Sequence, residues 1–155
     1  MSNESHRDLP DFVQLRQRYV GMEPGQRAEL RRVGEPDDLS YTPALYRLFP
    51  GERPDERHRR VAFLLPWCEQ GKGGSPNFGK QLVDKGTSEA RVLQVARATS
   101  PLDLIQFRRL AMNVELTVDW ANFGPLLWFW GARSKRRIVE DFYLAQFANP
   151  KGGKK

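Results

Sequence analysis

Cysteine is almost absent from this chain of 155 residues: Cys68 stands alone, so no disulfide framework exists and no thiolate cluster can hold a metal. It sits in the apolar run Val61-Ala62-Phe63-Leu64-Leu65-Pro66-Trp67-Cys68, where a buried inert thiol is the expected state. Histidine is scarce too. His6 lies near the terminus and His58 within Arg57-His58-Arg59-Arg60, so neither has a companion for metal ligation or proton relay, and both read as surface residues. No window approaches the roughly 18 apolar residues of a membrane span, and MSNESHRDLP holds no apolar signal region. A cytoplasmic chain with no membrane contact is expected. Alternating apolar and polar residues, the mark of half-buried strands, are missing, and there is no internal repeat.

What is present suffices for a core. Apolar residues make up 39% of the chain and aromatics 11%, well above disordered composition. The formal charge is +6. Residues 1–60 carry 11 basic and 11 acidic side chains, residues 61–132 carry 7 and 6, and residues 133–155 carry 7 and 2. A positive excess concentrated at one end suits a polyanion, whose counterions it releases on contact; a solvated basic tail gives the same count.

Helical spacing recurs along the chain. Residues 9–20 place Phe12, Leu15, Tyr19 and Val20 on one stripe, with Asp8 as cap and Pro10 in the first turn. A second helix runs from Pro24 to about Val33, where Gly34 and Pro36 stop it, and Arg27, Arg31 and Arg32 lie close together on its turns. Thr42-Pro43 opens a third, closed by Pro50, and residues 55–69 form a fourth with a kink at Pro66. Residues 70–79, rich in Gly, Ser and Pro, read as an exposed loop. After a short helix at 80–85, Ser88 caps a helix with Val92, Val95 and Ala96 inside. Ser100-Pro101 starts the next, Asp119 caps an apolar segment ending at Gly131, and Ser134 begins the last, which ends at Asn149-Pro150. The expectation is an all-α protein, a compact bundle of about eight helices in one body or two small helical lobes. Its parts are a disordered stretch 1–8, an N-terminal lobe 9–69, a loop and short helix 70–87, a C-terminal lobe 88–149 and a basic tail 150–155.

The sites that chemistry requires are incomplete. Gly74-Ser75-Pro76-Asn77-Phe78-Gly79-Lys80 fits the first seven places of a phosphate-binding loop. The eighth, Gln81, lacks the hydroxyl that holds magnesium, Pro76 removes a backbone donor, and the preceding run is helical. Glu140 and Asp141 are adjacent and share no helical face, so they balance Arg136 and Arg137 one turn away. Asp37-Asp38 lacks further oxygen ligands for a cation and reads as a solvated loop. Trp120, Trp128 and Trp130 belong to the core or to a subunit contact by their apolar surroundings; stacking on unpaired bases is the alternative. The remaining constellation is basic: Arg91, Arg97, Arg108 and Arg109 on consecutive helices, and Arg133, Lys135, Arg136 and Arg137 opening the last. Guanidinium groups keep their charge and fork onto phosphate oxygens, which suits backbone gripping without base readout.

Several strings resemble a known family. Leu30-Arg31-Arg32-Val33-Gly34-Glu35-Pro36-Asp37-Asp38-Leu39, Pro43-Ala44-Leu45-Tyr46-Arg47-Leu48, Gln106-Phe107-Arg108-Arg109-Leu110, and Asp119-Trp120 followed by Trp128-Phe129-Trp130-Gly131 are similar to the small subunit of the type I-E CRISPR Cascade complex, the CasB family. Glu140-Asp141-Phe142 matches as well, so the resemblance spans about residues 12–147 in order. It implies an all-helical subunit that needs no cofactor or metal and catalyses nothing, present as two copies beside the backbone and large subunits of Cascade. It further implies that basic surfaces hold the displaced DNA strand and the backbone of the guide RNA-target hybrid, in antiviral defence. Sequence is read by base pairing, and a recruited nuclease cuts. Carried over by position, the phosphate-facing residues are Arg32, Arg57, Arg91, Arg108, Arg109 and Arg133, with Arg97 from the helical pattern. Where relatives carry a second basic residue after the tryptophan-glycine pair, this chain has Ala132, so Lys135 or Arg136 takes over that charge. The rival readings are a protein-protein adaptor with incidental charge and a small hydrolase, for which no nucleophile with a base is in sight.

Overall fold

The structure is a computed structural model and describes residues 9–72 and 77–148. Residues 1–8 with His6, the start of the phosphate-loop-like string, and the tail 150–155 therefore lie outside the described residues.

Nine α-helices are present among the described residues: α1 Phe12–Val20, α2 Pro24–Arg32, α3 Pro43–Leu48, α4 Glu56–Leu64, α5 Phe78–Asp84, α6 Glu89–Arg97, α7 Leu102–Val114, α8 Trp120–Trp128 and α9 Ala132–Phe147. Two 3-10 segments, Pro36–Tyr41 and Leu65–Trp67, join the N-terminal helices. None of the described helices is long and apolar enough to cross a membrane. The caps follow from the sequence. Ser88 Oγ accepts from the Arg91 amide at 3.2 Å and Asp119 Oδ1 from the Ala121 amide at 3.1 Å, each satisfying an orphan donor of a first turn. The first helix begins at Phe12, later than its composition suggests, with Asp11 capping it through the Gln14 amide at 3.0 Å; Asp8 lies outside the described residues. Pro66 ends α4 in a 3-10 turn and does not merely kink it. The last helix starts at Ala132; Ser134 is buried inside its first turn and donates to Leu126 O at 2.7 Å.

The all-helical expectation holds, with one small addition of two short strands. β1 Glu69–Gln70 and β2 Thr117–Val118 pair in parallel, Glu69 opposite Thr117 and Gln70 opposite Val118. Two residues per strand leave no room for an alternation that a sequence could display. Side chains fasten this ladder: Gln81 of α5 donates to Thr117 O at 2.7 Å and accepts from Thr117 N at 2.9 Å. The Trp120 indole donates to Cys68 O at 2.8 Å.

One apolar core runs through both segments expected as lobes. Leu45, Phe63, Leu64, Val95, Phe107, Leu127 and Phe142 all belong to it, and α4 packs against both α7 and α8. Two glycines permit the closest approaches. A Cβ at Gly79 would run into the backbone of Asp141, and one at Gly124 into the Phe12 ring. The Gly79-Lys80 pair that mimics a phosphate loop thus has other duties, for Gly79 seats α5 on α9 and Lys80 pairs with Asp84 at 3.1 Å.

Candidate nucleic-acid interface

Helices α6 and α7 pack side by side, and the contact between them sets the position of two arginines. With the Asn113 amide oxygen turned toward α6, both terminal nitrogens of Arg91 donate to it, at 2.8 and 3.2 Å. Asn113 lies one turn beyond Arg109 on α7, so Arg91 and Arg109 flank the same stripe of that helix. Both are exposed. Arg109 has no hydrogen bond or ion pair with another described residue, which leaves its fork of donors to solvent. Asn113 escapes a search for basic residues; its place one turn after Arg109 is the only signal.

Arg108, the neighbour of Arg109, faces inward. Its guanidinium donates to Val33 O at 2.7 Å and lies over the Phe63 ring, 4.3 Å from the centroid. Burial pushes its pKa below the ordinary value, although an arginine retains its charge near neutrality. Val33 terminates α2, so Arg108 closes the end of that helix. Arg32, on the last turn of α2, is exposed beside this contact.

The same arrangement recurs through the molecule. Arg18 donates to Leu48 O at the end of α3 at 2.6 Å, and Arg27 to Val20 O at the end of α1 at 2.9 Å. Arg16 reaches Leu65 O after α4 at 2.6 Å. Arg60 reaches Leu127 O at 2.8 Å and also Trp128 O, closing α8. Lys135 donates to Ala98 O after α6 at 2.8 Å. The last carbonyls of a helix lack internal partners and carry the negative end of its dipole, so a cation there answers both needs. Much of the positive charge therefore holds helix ends together.

The other sites fall at the α8–α9 junction and around it. Lys135 is half-buried and forms an ion pair with buried Asp103 at 2.9 Å; the Trp130 indole donates to the same carboxylate at 2.9 Å. Of the two residues that were to replace the basic position at Ala132, only Arg136 is left on the surface. Arg133 and Arg97 are exposed as well, and none of Arg32, Arg97, Arg133 and Arg136 has a hydrogen bond or ion pair with a described residue. Arg57 is exposed but engaged: it grips Asp55 at 2.8 Å and lies over the Trp128 ring at 4.7 Å. Contacts thus bring Arg91 and Arg109 to one stripe, while Arg133 and Arg136 stand on a different helix.

Trp120 and Trp128 are fully buried and Trp130 stacks on Phe107 at 5.7 Å, so the tryptophans build the core and present no platform for bases. His58, expected at the surface, is buried between Phe49 and Trp128; helical spacing places it in line with Val61 and Ala62. Asp38 is not simply solvated, since its Oδ2 accepts from Gly34 N and Glu35 N at 3.3 Å each. Burial pushes the Cys68 thiol far up, as an inert core residue requires. Arg137 pairs with Asp141 at 3.1 Å.

No family model matches the chain. It is 32% identical over 161 aligned positions to the CRISPR system Cascade subunit CasB of Escherichia coli (strain K12), covering 92% of this chain and 98% of that protein. A chain in the crystal structure of E. coli Cascade bound to a PAM-containing dsDNA target aligns with a TM-score of 0.76 at 31% identity. That match covers 89% of this chain and 99% of the other.

Proposed function

The chain belongs to the CasB family, and from that premise we propose that it is a non-catalytic small subunit of a type I-E Cascade complex that holds opened DNA by its phosphates. In this role it works in the cytoplasm beside the backbone and large subunits and a second copy of itself, contacting guide RNA and displaced DNA without reading sequence. The observation that carries the reading is the α6–α7 stripe, where Arg91 and Arg109 are exposed on either side of Asn113. Arg32, Arg97, Arg133 and Arg136 supply further contacts. Arg57, Arg108 and Lys135 serve mainly to shape the surface, because carboxylates neutralise Arg57 and Lys135, and Arg108 is turned inward onto Val33 O, whereas the partner of the exposed Arg91 is a neutral amide.

The test is target-DNA retention by the assembled complex as a function of salt. Replacing Arg91 and Arg109 with alanine weakens retention and lowers the slope of log affinity against log salt by about one unit per lost phosphate contact. An unchanged affinity with an unchanged slope removes both residues from the interface.

The adaptor reading has one observation in its favour. Leu144 and Phe147, near the end of α9, are 69% and 62% exposed and adjoin Val139 and Tyr143 in a shallow apolar depression, and a contiguous apolar patch is what marks a contact surface. It predicts that Leu144→Asp releases the subunit from the complex, while the Arg91 and Arg109 variants leave DNA retention untouched.

A further inference from the structure

A cleft of about 610 Å³ opens between the β1–β2 ladder, the starts of α5 and α8, and α9. We propose that it is a pocket for one unpaired nucleobase of a bound single strand, distinct from the arginine stripe of α6 and α7. The proposal rests on the reading of the chain as a holder of nucleic acid.

Four features define the ligand. The cleft has one aromatic side, the half-buried Phe78, which the core residue Phe123 backs edge to face at 6.3 Å; an aromatic face accepts any base by stacking. Three side-chain amides line it as well, of which Gln70 is engaged by Asp119 and by the Trp120 amide. Asn77 Oδ1 is taken by the Lys80 amide at 2.9 Å, which leaves its NH2 group unused among the described residues. Asn122 donates to Asp119 at 3.3 Å, which leaves its carbonyl oxygen unused among the described residues. One free donor and one free acceptor match the mixed edge of a base.

The charges decide against a phosphate in the cleft itself. Asp119 and Asp141 line it together with Lys72 and Arg137, so it is formally neutral in a chain of charge +6, and its carboxylates repel an anion. A flat, neutral, hydrogen-bonding heterocycle suits these walls. The phosphate has a place nearby: Arg133 stands one turn before Arg137 on α9, exposed and without a partner among the described residues. Base in the cleft and phosphate on Arg133 is the arrangement the geometry offers.

Two measurements on the full chain test this. In the first, deoxyadenosine or deoxyguanosine is titrated while the side-chain amide resonances of Asn77 and Asn122 are followed by NMR. The nucleosides shift both signals, and Asn122→Leu abolishes the Asn77 shift. In the second, a single-stranded DNA carrying one 2-aminopurine is bound; its fluorescence is quenched, Asn122→Leu weakens binding about tenfold, and an abasic nucleotide removes that difference. Arg109→Ala weakens overall binding but leaves the quench at saturation. Absence of nucleoside shifts overturns the pocket whether or not DNA binds. Nucleoside shifts without strand binding uphold the pocket and overturn the strand-holding reading instead. If Asn122→Leu blocks entry into Cascade while nucleosides shift nothing, the cleft receives a protein segment and the proposal is wrong.

Discussion

Arg108 and Arg109 are neighbours in sequence with opposite fates, and the helix explains why. Arg108 follows Leu104 by one turn and precedes Ala111 by less than one, both core residues, so its stem leaves along the buried edge of α7 and its guanidinium meets Val33 O. Arg109 is rotated about 100° further and faces solvent. Truncation separates the two roles. Arg108→Ala orphans a helix-end carbonyl and costs about 1–3 kcal/mol of stability by denaturant unfolding. Arg109→Ala stays within about 0.5 kcal/mol and is felt only in DNA retention. Equal stabilities for the two variants refute this division. The pattern was partly legible: an arginine one turn from two core positions signals an inward stem. Which carbonyl it would meet was not, because Val33 is 75 residues away in sequence.

The first turn of α4 shows what an element adds to its residues. Asp55 accepts from the Arg57 amide at 2.9 Å and stands 3.0 Å from His58 Nδ1. Chiefly the Arg57 side chain, 2.8 Å away, holds its carboxyl well below the usual carboxylate range. A depressed folded pKa contributes stability that is present above the unfolded value, about 3.9, and fades as pH falls toward the folded one. Asp55→Ala therefore costs about 1 kcal/mol near neutrality, the worth of a cap, and the deficit against the parent shrinks below about pH 4. A deficit that grows on acidification contradicts this account. Helix against helix, Gly79 is the sensitive point. Gly79→Ala forces α5 off the Asp141 backbone and lowers stability by about 1–3 kcal/mol or more, read as a drop in Tm. Caps such as Ser88 and Asp119 were readable because they depend on a few neighbouring residues. The Gly79 contact was not, since it needs the packing of α5 on α9, and the same glycine imitates a phosphate loop.

For the whole molecule, the glycine-rich stretch after residue 70 marks a boundary in composition but not in the core. The ladder of β1 with β2, the Gln81 clasp on Thr117 and the Trp120–Cys68 hydrogen bond all tie the chain before that stretch to the chain after it. So do Arg60 on the end of α8 and Arg108 on the end of α2. Separate lobes would each need their own closed core, yet Phe63, Phe107 and Trp120 sit in a shared one. Loss of either half exposes the apolar face of the other. Unfolding in urea is accordingly a single transition, with far-UV circular dichroism and tryptophan fluorescence giving coincident midpoints. The fluorescence is informative because Trp120, Trp128 and Trp130 report from the second half while Trp67 reports from the first. A Trp67→Phe variant that leaves the two curves superimposed supports one cooperative unit. Midpoints that part company by probe restore the two-lobe organisation, and with it a hinge between the basic faces of α2 and α7.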